Sequence, residues 1–198
     1  MKKTICLLLL VATACAAPSR VDQMVPKFSA PGIASSDTRY ESVSLVSSTI
    51  DKVKFPYWYT TVSDASLALA LRKTLDGRAL LAQGQSPGKY ALAVSLVGFK
   101  RPPIQNLDQA TTFGIRYELR EAATGKPILM ETISTTGSES YSKDKNVDDQ
   151  ARIAAELAMQ KNFSQFVDKL NAALGPAQVK PDNTKAKILR PKANPKTP

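Results

Sequence analysis

Two stretches of the chain alternate strictly between large apolar residues and polar or small ones, the pattern of a β-strand with one buried face. Residues 90–96 place Tyr, Leu, Val and Leu on one side of a strand. Residues 113–120 oppose an apolar side to one carrying Arg116, Glu118 and Arg120. Residues 41–50 and 128–136 show the same alternation with interruptions. About four strands are therefore predicted.

Two stretches carry the helical period instead. Ser63 is a good N-cap for a helix in which Leu67, Leu71 and Leu75 recur at four-residue spacing. A second helix of about 25 residues is predicted from Asp148 to the Gly175-Pro176 pair, with alanines and then large apolar residues on its buried stripe. The order β-α-β-β-β-α predicts an α+β fold. In it an antiparallel sheet carries both helices on one face.

The first fifteen residues have the three-part layout of a secretory signal. Two lysines precede a short apolar run, and small residues lead to Cys15. The segment 12–15 resembles a bacterial lipobox, which predicts a signal peptide over residues 1–14 and a lipid on Cys15. The alternative is ordinary cleavage at an Ala-x-Ala site, before Cys15 or after Ala16. The lipid would anchor the chain stably to a membrane. Ala16 favours, by resemblance, the periplasmic side of the outer membrane.

Composition changes from one region to the next. Residues 15–38 are rich in Pro, Ser and Ala and are predicted to be a disordered tether, and residues 39–175 form one domain. The formal net charge is +10, but it is concentrated at the two ends. The leader holds two lysines, and residues 176–198 hold six basic side chains against one acidic. The domain is thus nearly neutral, which argues against nucleic-acid binding. The tail is predicted to be disordered.

Catalytic chemistry is hard to place on this chain. It contains no His, and its two cysteines are Cys6 and Cys15, one in the leader and one at the predicted lipid site. These facts remove a Ser-His-Asp triad, zinc-cysteine sites and cysteine nucleophiles. Neither a P-loop nor a Gly-x-Gly-x-x-Gly motif occurs. We therefore expect neither an enzyme nor a bound cofactor or metal.

Three groups of residues are candidates for binding a partner. Tyr57, Trp58 and Tyr59 either plug one end of the core or form an exposed platform. Arg116 and Arg120 share one strand face, which either is simply solvated or docks a partner. The basic tail either improves solubility or contacts an anionic partner such as peptidoglycan or lipopolysaccharide. Its candidate residues are Lys185, Lys187, Arg190 and Lys192.

From Trp58 to Leu174 the layout resembles small bacterial outer-membrane lipoproteins of uncharacterised function. The likeness rests on GKYALAVSLVGF, IRYELREAATGKPILMETI and ARIAAELAMQKNFSQFVDKL. The layout is also similar to that of the lipopolysaccharide-assembly lipoprotein and of auxiliary lipoproteins of ABC-type lipid transport. The resemblance implies a membrane-anchored accessory that docks on an envelope protein in an assembly or lipid-transport system. The alternative is an envelope-structural protein whose basic tail binds peptidoglycan or lipopolysaccharide.

Overall fold

The computed structural model describes residues 18–51, 61–84, 87–101 and 108–176. Cys15, the aromatic group at Tyr57, Trp58 and Tyr59, and the basic tail from residue 177 lie outside the described residues. The elements are α1 (Val21–Met24), β1 (Val43–Ile50), α2 (Asp64–Asp76), β2 (Tyr90–Lys100), β3 (Gln109–Glu121), β4 (Pro127–Glu139) and α3 (Val147–Leu174). The predicted α+β fold and its β-α-β-β-β-α order are confirmed, with the short α1 added at the start.

The four strands form one sheet in the order β1-β2-β3-β4. β2, β3 and β4 are antiparallel neighbours, as predicted, but β1 runs parallel to β2. The sheet is therefore mixed and not antiparallel throughout. The reason is that α2 connects β1 to β2 and returns the chain to the end of the sheet at which β1 began, as a crossover does.

Both long helices cover the same face of the sheet. Their apolar stripes meet fully buried strand residues that include Phe113, Ile115 and Tyr117. The ring of Tyr117 stacks on Phe166 of α3, with centroids 4.0 Å apart and planes 7° from parallel. Gly137 lets α3 approach β4 closely, because a Cβ there would lie 2.1 Å from the carbonyl oxygen of Ala154.

Asn162 joins α3 to the sheet through buried hydrogen bonds. Its Nδ2 donates to the carbonyl of Ile133 at 2.9 Å and to Thr135 Oγ1 at 3.0 Å. Its Oδ1 accepts from the Tyr117 hydroxyl at 2.7 Å. The Thr135 hydroxyl in turn donates to the Ala158 carbonyl at 2.8 Å. The Asn162 amide thereby pairs with polar atoms on two strands, so its burial carries little desolvation cost.

The chain before β1 packs against the helices, and this differs from the tether predicted for residues 15–38. Met24 is completely buried, although only the four residues of α1 are helical. The Ser19 N–H donates to the carbonyl of Thr61 at 2.9 Å, and the hydroxyls of the two residues are hydrogen-bonded at 3.0 Å. The composition suggested a flexible linker, but this segment buries an apolar side chain in the core. We call residues 18–41 the N-terminal arm.

The N-terminal arm crosses the helix layer from one end of the domain to the other. It starts beside Thr61 and α3 residue Glu156, whose carboxylate accepts from the Arg20 N–H at 2.6 Å. It finishes where the Arg39 guanidinium donates to the carbonyl of Gly175 at 3.2 Å. We call these ends the near pole and the far pole. The turn between β3 and β4 lies at the far pole, and the connection from β4 to α3 lies at the near pole.

Candidate functional site

The sheet face away from the helices carries mostly small side chains. Along each strand, side chains that are buried under the helices alternate with side chains on the opposite face. The strand register therefore shows which residues face away from the helix layer. We call this the open face. Its small members are Ser44, Ser47, Thr49, Ala91, Ala93, Ser95, Thr112, Thr132, Ser134 and Thr136. Hydroxyls dominate this surface, so it offers many hydrogen-bond donors and acceptors without long flexible side chains to order.

Arg116 lies in the middle of the open face. Register places it between Ser95 of β2 and Thr132 of β4. On one side it borders a hollow of about 570 Å³ that Thr49, Asp51 and Ser95 also line. On the other it borders a smaller hollow of about 150 Å³, which is also lined by Glu118, Met130, Glu131 and Thr132. The long cationic side chain of Arg116 thus lies between two hollows, on a surface where most side chains are short.

The two arginines predicted to bind a partner share this face, but their charges are not equally available. Arg120 forms an ion pair with Glu118 at 3.4 Å. Arg116 is exposed and forms no ion pair with the part of the chain that the structure describes. A guanidinium without a carboxylate keeps its five donors for a partner. Arg116 is therefore the stronger candidate of the two.

Apolar side chains complete the open side of the sheet. Met130 is 56% exposed beside the smaller hollow. Val46, which is 61% exposed, lies at the irregularity where the register of β1 shifts between Leu45 and Ser47. An adaptable thioether and an exposed arginine are features of protein-binding surfaces. The sequence reasoning singled out the arginines but missed Met130 and the small residues. The Ser/Thr/Ala positions that alternate with the apolar ones were the signal.

A third hollow, of about 290 Å³, lies between the N-terminal arm and α3, and two of its charged side chains, Arg152 and Glu156, are paired with each other. Arg152 donates to both oxygens of Glu156 at 2.9 and 3.0 Å and to Asp149 at 3.1 Å. Burial lowers the pKa of Arg152, but its hydrogen bonds to Glu156 and Asp149 outweigh that effect and leave this pKa above its ordinary value. This cluster holds the arm to α3, so its polar atoms are not free for a substrate.

The described part of the chain shows neither a metal cluster nor a membrane-spanning helix. No group of three or more His, Cys, Asp or Glu side chains comes together among residues 18–51, 61–84, 87–101 and 108–176. Within the same ranges no helix combines the length and the apolar character needed to cross a bilayer.

No protein-family model and no curated protein matches the sequence. Solved structures do. A Xanthomonas campestris protein of the DUF330 family has a TM-score of 0.52 and 12% identity over 72% of this chain and 91% of its own. A minor lipoprotein from Acinetobacter baumannii scores 0.46 with 15% identity, covering 71% of this chain and 98% of its own. A candidate lipoprotein from Caulobacter crescentus scores 0.47 with 14% identity, covering 70% and 96%. The first likeness shows a shared fold.

Proposed function

We propose that this protein is a non-catalytic lipoprotein, anchored through Cys15 on the periplasmic side of the outer membrane, that docks an envelope protein on the open face. The observation that carries the docking role is Arg116, an exposed guanidinium that lies between two hollows and has no ion-pair partner among the residues that the structure describes. The partner would belong to an assembly or lipid-transport system. It would present a carboxylate to Arg116 and polar groups to the surrounding hydroxyls.

The lipid anchor has its own support. Cys15 follows an apolar run and three small residues, and the only other cysteine of the chain, Cys6, lies inside the predicted leader. Mass spectrometry of the mature N-terminus should find Cys15 first and acylated, and globomycin should block this processing. An unmodified N-terminus at Ala17 would contradict the anchor.

The docking role is tested by photo-crosslinking in the bacterium that makes the protein. Benzoylphenylalanine placed at Thr132 or Ser134 reports on the open face, and the same group at Gln165 or Asp168 reports on the exposed side of α3. All four positions are exposed. We expect one defined adduct from the first pair and none from the second. Equal adducts from both pairs, or none from the open face, would refute the docking role.

A matched pair of substitutions then tests the part assigned to Arg116. Arg116→Ala should reduce the adduct from Thr132 at least about fivefold, because an arginine at the centre of an interface is a typical hot spot. Arg120→Ala should change it less than about twofold, because Glu118 already pairs with that charge. Both variants should keep the wild-type circular dichroism spectrum. The same loss from both would mean that net charge, and not the position of Arg116, decides binding.

A further inference from the structure

The short link between Cys15 and the N-terminal arm determines which part of the domain can reach the membrane. Pro18 lies three residues beyond Cys15, a span of at most about 11 Å when fully extended. The next residue, Ser19, is already bonded to Thr61 at the near pole. The inference that follows rests on the lipid anchor of the proposed function. With that anchor, the near pole cannot move far from the membrane surface.

The N-terminal arm does not lengthen this link, because it is bonded to α3 from its start. The Arg20 N–H donates to the carboxylate of Glu156 at 2.6 Å, and Glu156 is only 4% exposed. Further along, the Gln160 side chain donates to the carbonyl of Val25 at 3.2 Å, next to the completely buried Met24. Detaching the arm would deprive a buried carboxylate of one of its donors and expose Met24 to water.

The first turns of α3 extend past the point where the arm begins. The arm starts beside Glu156, whereas α3 begins at Val147. Val147 is nine residues earlier in the chain, which is about 13 Å along the helix axis. This distance exceeds the reach of the link to the lipid. The connection from β4 to α3 lies at the same end of the domain, and we call residues 140–148 the tip. The tip therefore reaches the lipid headgroups when the axis of α3 is perpendicular to the membrane.

The tip exposes two large apolar side chains. In the part of the chain that the structure describes, five such side chains are more than a third exposed, namely Val46, Leu69, Met130, Tyr141 and Val147. Tyr141, at 45%, and Val147, at 39%, belong to the tip, and none of the five lies at the far pole. Tyrosine is enriched at the boundary between membrane and water, because its ring is apolar and its hydroxyl is polar. The tip thus fits the headgroup region of a bilayer better than the far pole does.

Hydrogen bonds hold the tip in one position on the domain. Gln150 is completely buried, and its side-chain amide donates to the carbonyls of Ser142 at 3.1 Å and Lys145 at 3.2 Å. The Tyr141 N–H donates to the carboxylate of Asp108, just before β3, at 2.8 Å. The Tyr141 ring is therefore presented by a connection that is bonded both to α3 and to the sheet.

The tip carries as many acidic as basic side chains. Lys143 and Lys145 are matched by Asp144 and Asp148, and Lys145 also forms an ion pair with Glu139 at 2.5 Å. With a net charge near zero, the tip is neither strongly attracted to an anionic membrane nor strongly repelled by it. A contact with lipid would therefore depend on the apolar side chains and respond little to salt.

We propose that the tip lies in the headgroup region of the anchoring membrane, with Tyr141 and Val147 as its contact residues. Because the strands run between the two poles, the domain then stands upright and the open face is turned to the side. A partner would reach the open face by approaching parallel to the membrane. The far pole would be held clear of the lipid, since the 28 residues of α3 span about 42 Å.

The first measurement is the orientation of the full-length, acylated protein in vesicles of phosphatidylethanolamine and phosphatidylglycerol. Ser140→Cys in the tip and Ala123→Cys at the far pole each add one site for a dye, since Cys6 leaves with the leader and the Cys15 thiol carries the lipid. Both positions are exposed. A nitroxide on the lipid headgroups should quench the dye at residue 140 at least about fivefold more strongly than the dye at residue 123. Equal quenching would show that the domain lies flat and would overturn the proposal.

Salt separates an apolar contact from an electrostatic one. Raising the salt shortens the Debye length from about 10 Å at 0.1 M to about 3 Å at 1 M. We expect the quenching at residue 140 to stay the same over this range. A loss of quenching at high salt would assign the contact to charge and overturn the role of Tyr141 and Val147.

The second measurement removes the apolar side chains of the tip. Tyr141→Ser combined with Val147→Ser should reduce the quenching at residue 140 at least about threefold, because the tip loses its apolar contact with the lipid. The matched control is Val46→Ser combined with Met130→Ser, which replaces two exposed apolar side chains on the open side and should leave the quenching unchanged. All variants should keep the wild-type circular dichroism spectrum and sediment with the vesicles. Unchanged quenching in the tip variant would mean that the short link alone holds the pole at the membrane, and would overturn the contact.

The anchor and the contact can fail separately. An N-terminus without an acyl chain defeats the anchor and, with it, the contact of the tip. An acylated protein that is quenched equally at both poles, or that is quenched independently of Tyr141 and Val147, defeats the contact alone. The anchor and the docking role of the open face would then stand.

Discussion

The two faces of the sheet are built from the same strands but follow opposite rules. On the helix side, the strand backbone touches the backbone of α3 at Gly137, and every large ring is packed. On the open face, most of the neighbouring residues of the same strands are Ser, Thr and Ala, and the larger ones, such as Arg116 and Met130, are exposed. The alternation of β3 and β4 therefore separates a face that determines stability from a face that is free to bind.

This difference has a physical basis in what each side chain has to satisfy. A residue on the helix side must fill a fixed volume and pair its polar atoms without water, so small errors are costly. A residue on the open face exchanges its hydrogen bonds with water and gains little from any one neighbour. Substitutions on the two faces should consequently differ in cost by several-fold, even at adjacent positions.

The largest effect is expected at Gly137. In Gly137→Ala the new Cβ would lie 2.1 Å from the oxygen of Ala154 and 2.4 Å from the nitrogen of Ala158, so α3 must move. We expect a loss of about 3 kcal/mol or more in the free energy of unfolding, measured by urea denaturation. The matched control is Gly114→Ala, whose Cβ would meet the Cα of Gly98 at 3.4 Å. Its cost should stay below about 1 kcal/mol. Similar costs at both sites would contradict the contrast between the faces.

A smaller effect is expected at Asn162. Asn162→Ala removes three buried hydrogen bonds and leaves the Tyr117 hydroxyl and the Ile133 carbonyl without these partners. We expect a loss of about 2–3 kcal/mol, again by urea denaturation. On the open face, Thr136→Ala also breaks a side-chain hydrogen bond, that of 2.8 Å to Thr112. That pair is exposed to water, so the expected cost is below about 0.5 kcal/mol.

Much of the fold was accessible from the sequence because local patterns determine it. The alternation at 90–96 and 113–120 and the cap at Ser63 predicted elements that the structure confirms. The parallel pairing of β1 escaped prediction because it depends on where α2 delivers the chain, which no local pattern encodes. The N-terminal arm escaped for a related reason. Its composition is that of a linker, and only the tertiary position of Met24 shows that it is packed.

The candidate site was harder to predict than the fold. The arginines of β3 stood out as charges on a strand face, but their sequence spacing is the same. Only the structure distinguishes Arg120, which pairs with Glu118, from Arg116, which does not. The alternation is interrupted near Leu129 and Met130, so the sequence pattern alone does not assign these residues to a face of the sheet, and the strand register was needed. That register slips between Leu119 and Arg120, and it places Met130 opposite Glu118 on the open side. The lipid on Cys15 and the binding roles of the aromatic group and of the basic tail stay predictions.

The smallest effect expected on the helix side concerns the pH dependence of its hydrogen-bond network. Burial raises the pKa of the Tyr117 phenol well above its ordinary value. Because the folded state favours the neutral phenol, its contribution to stability is complete below pH 10. That contribution is lost as the pH rises past 10 and the unfolded chain begins to ionise this phenol. The group thus destabilises the fold at alkaline pH by up to about 1.4 kcal/mol per pH unit.

Tyr117→Phe isolates this effect from every other titrating group. At pH 8 the variant should be less stable than wild type by about 1–2 kcal/mol, because Asn162 Oδ1 loses the donor that lies 2.7 Å away. Between pH 9 and 11 wild type alone carries the phenol, so its unfolding free energy should fall more steeply, and the two curves should converge. Parallel curves would mean that water reaches Tyr117 in the folded state. The helix side would then resemble the open face more closely than the packing of α3 on β4 implies.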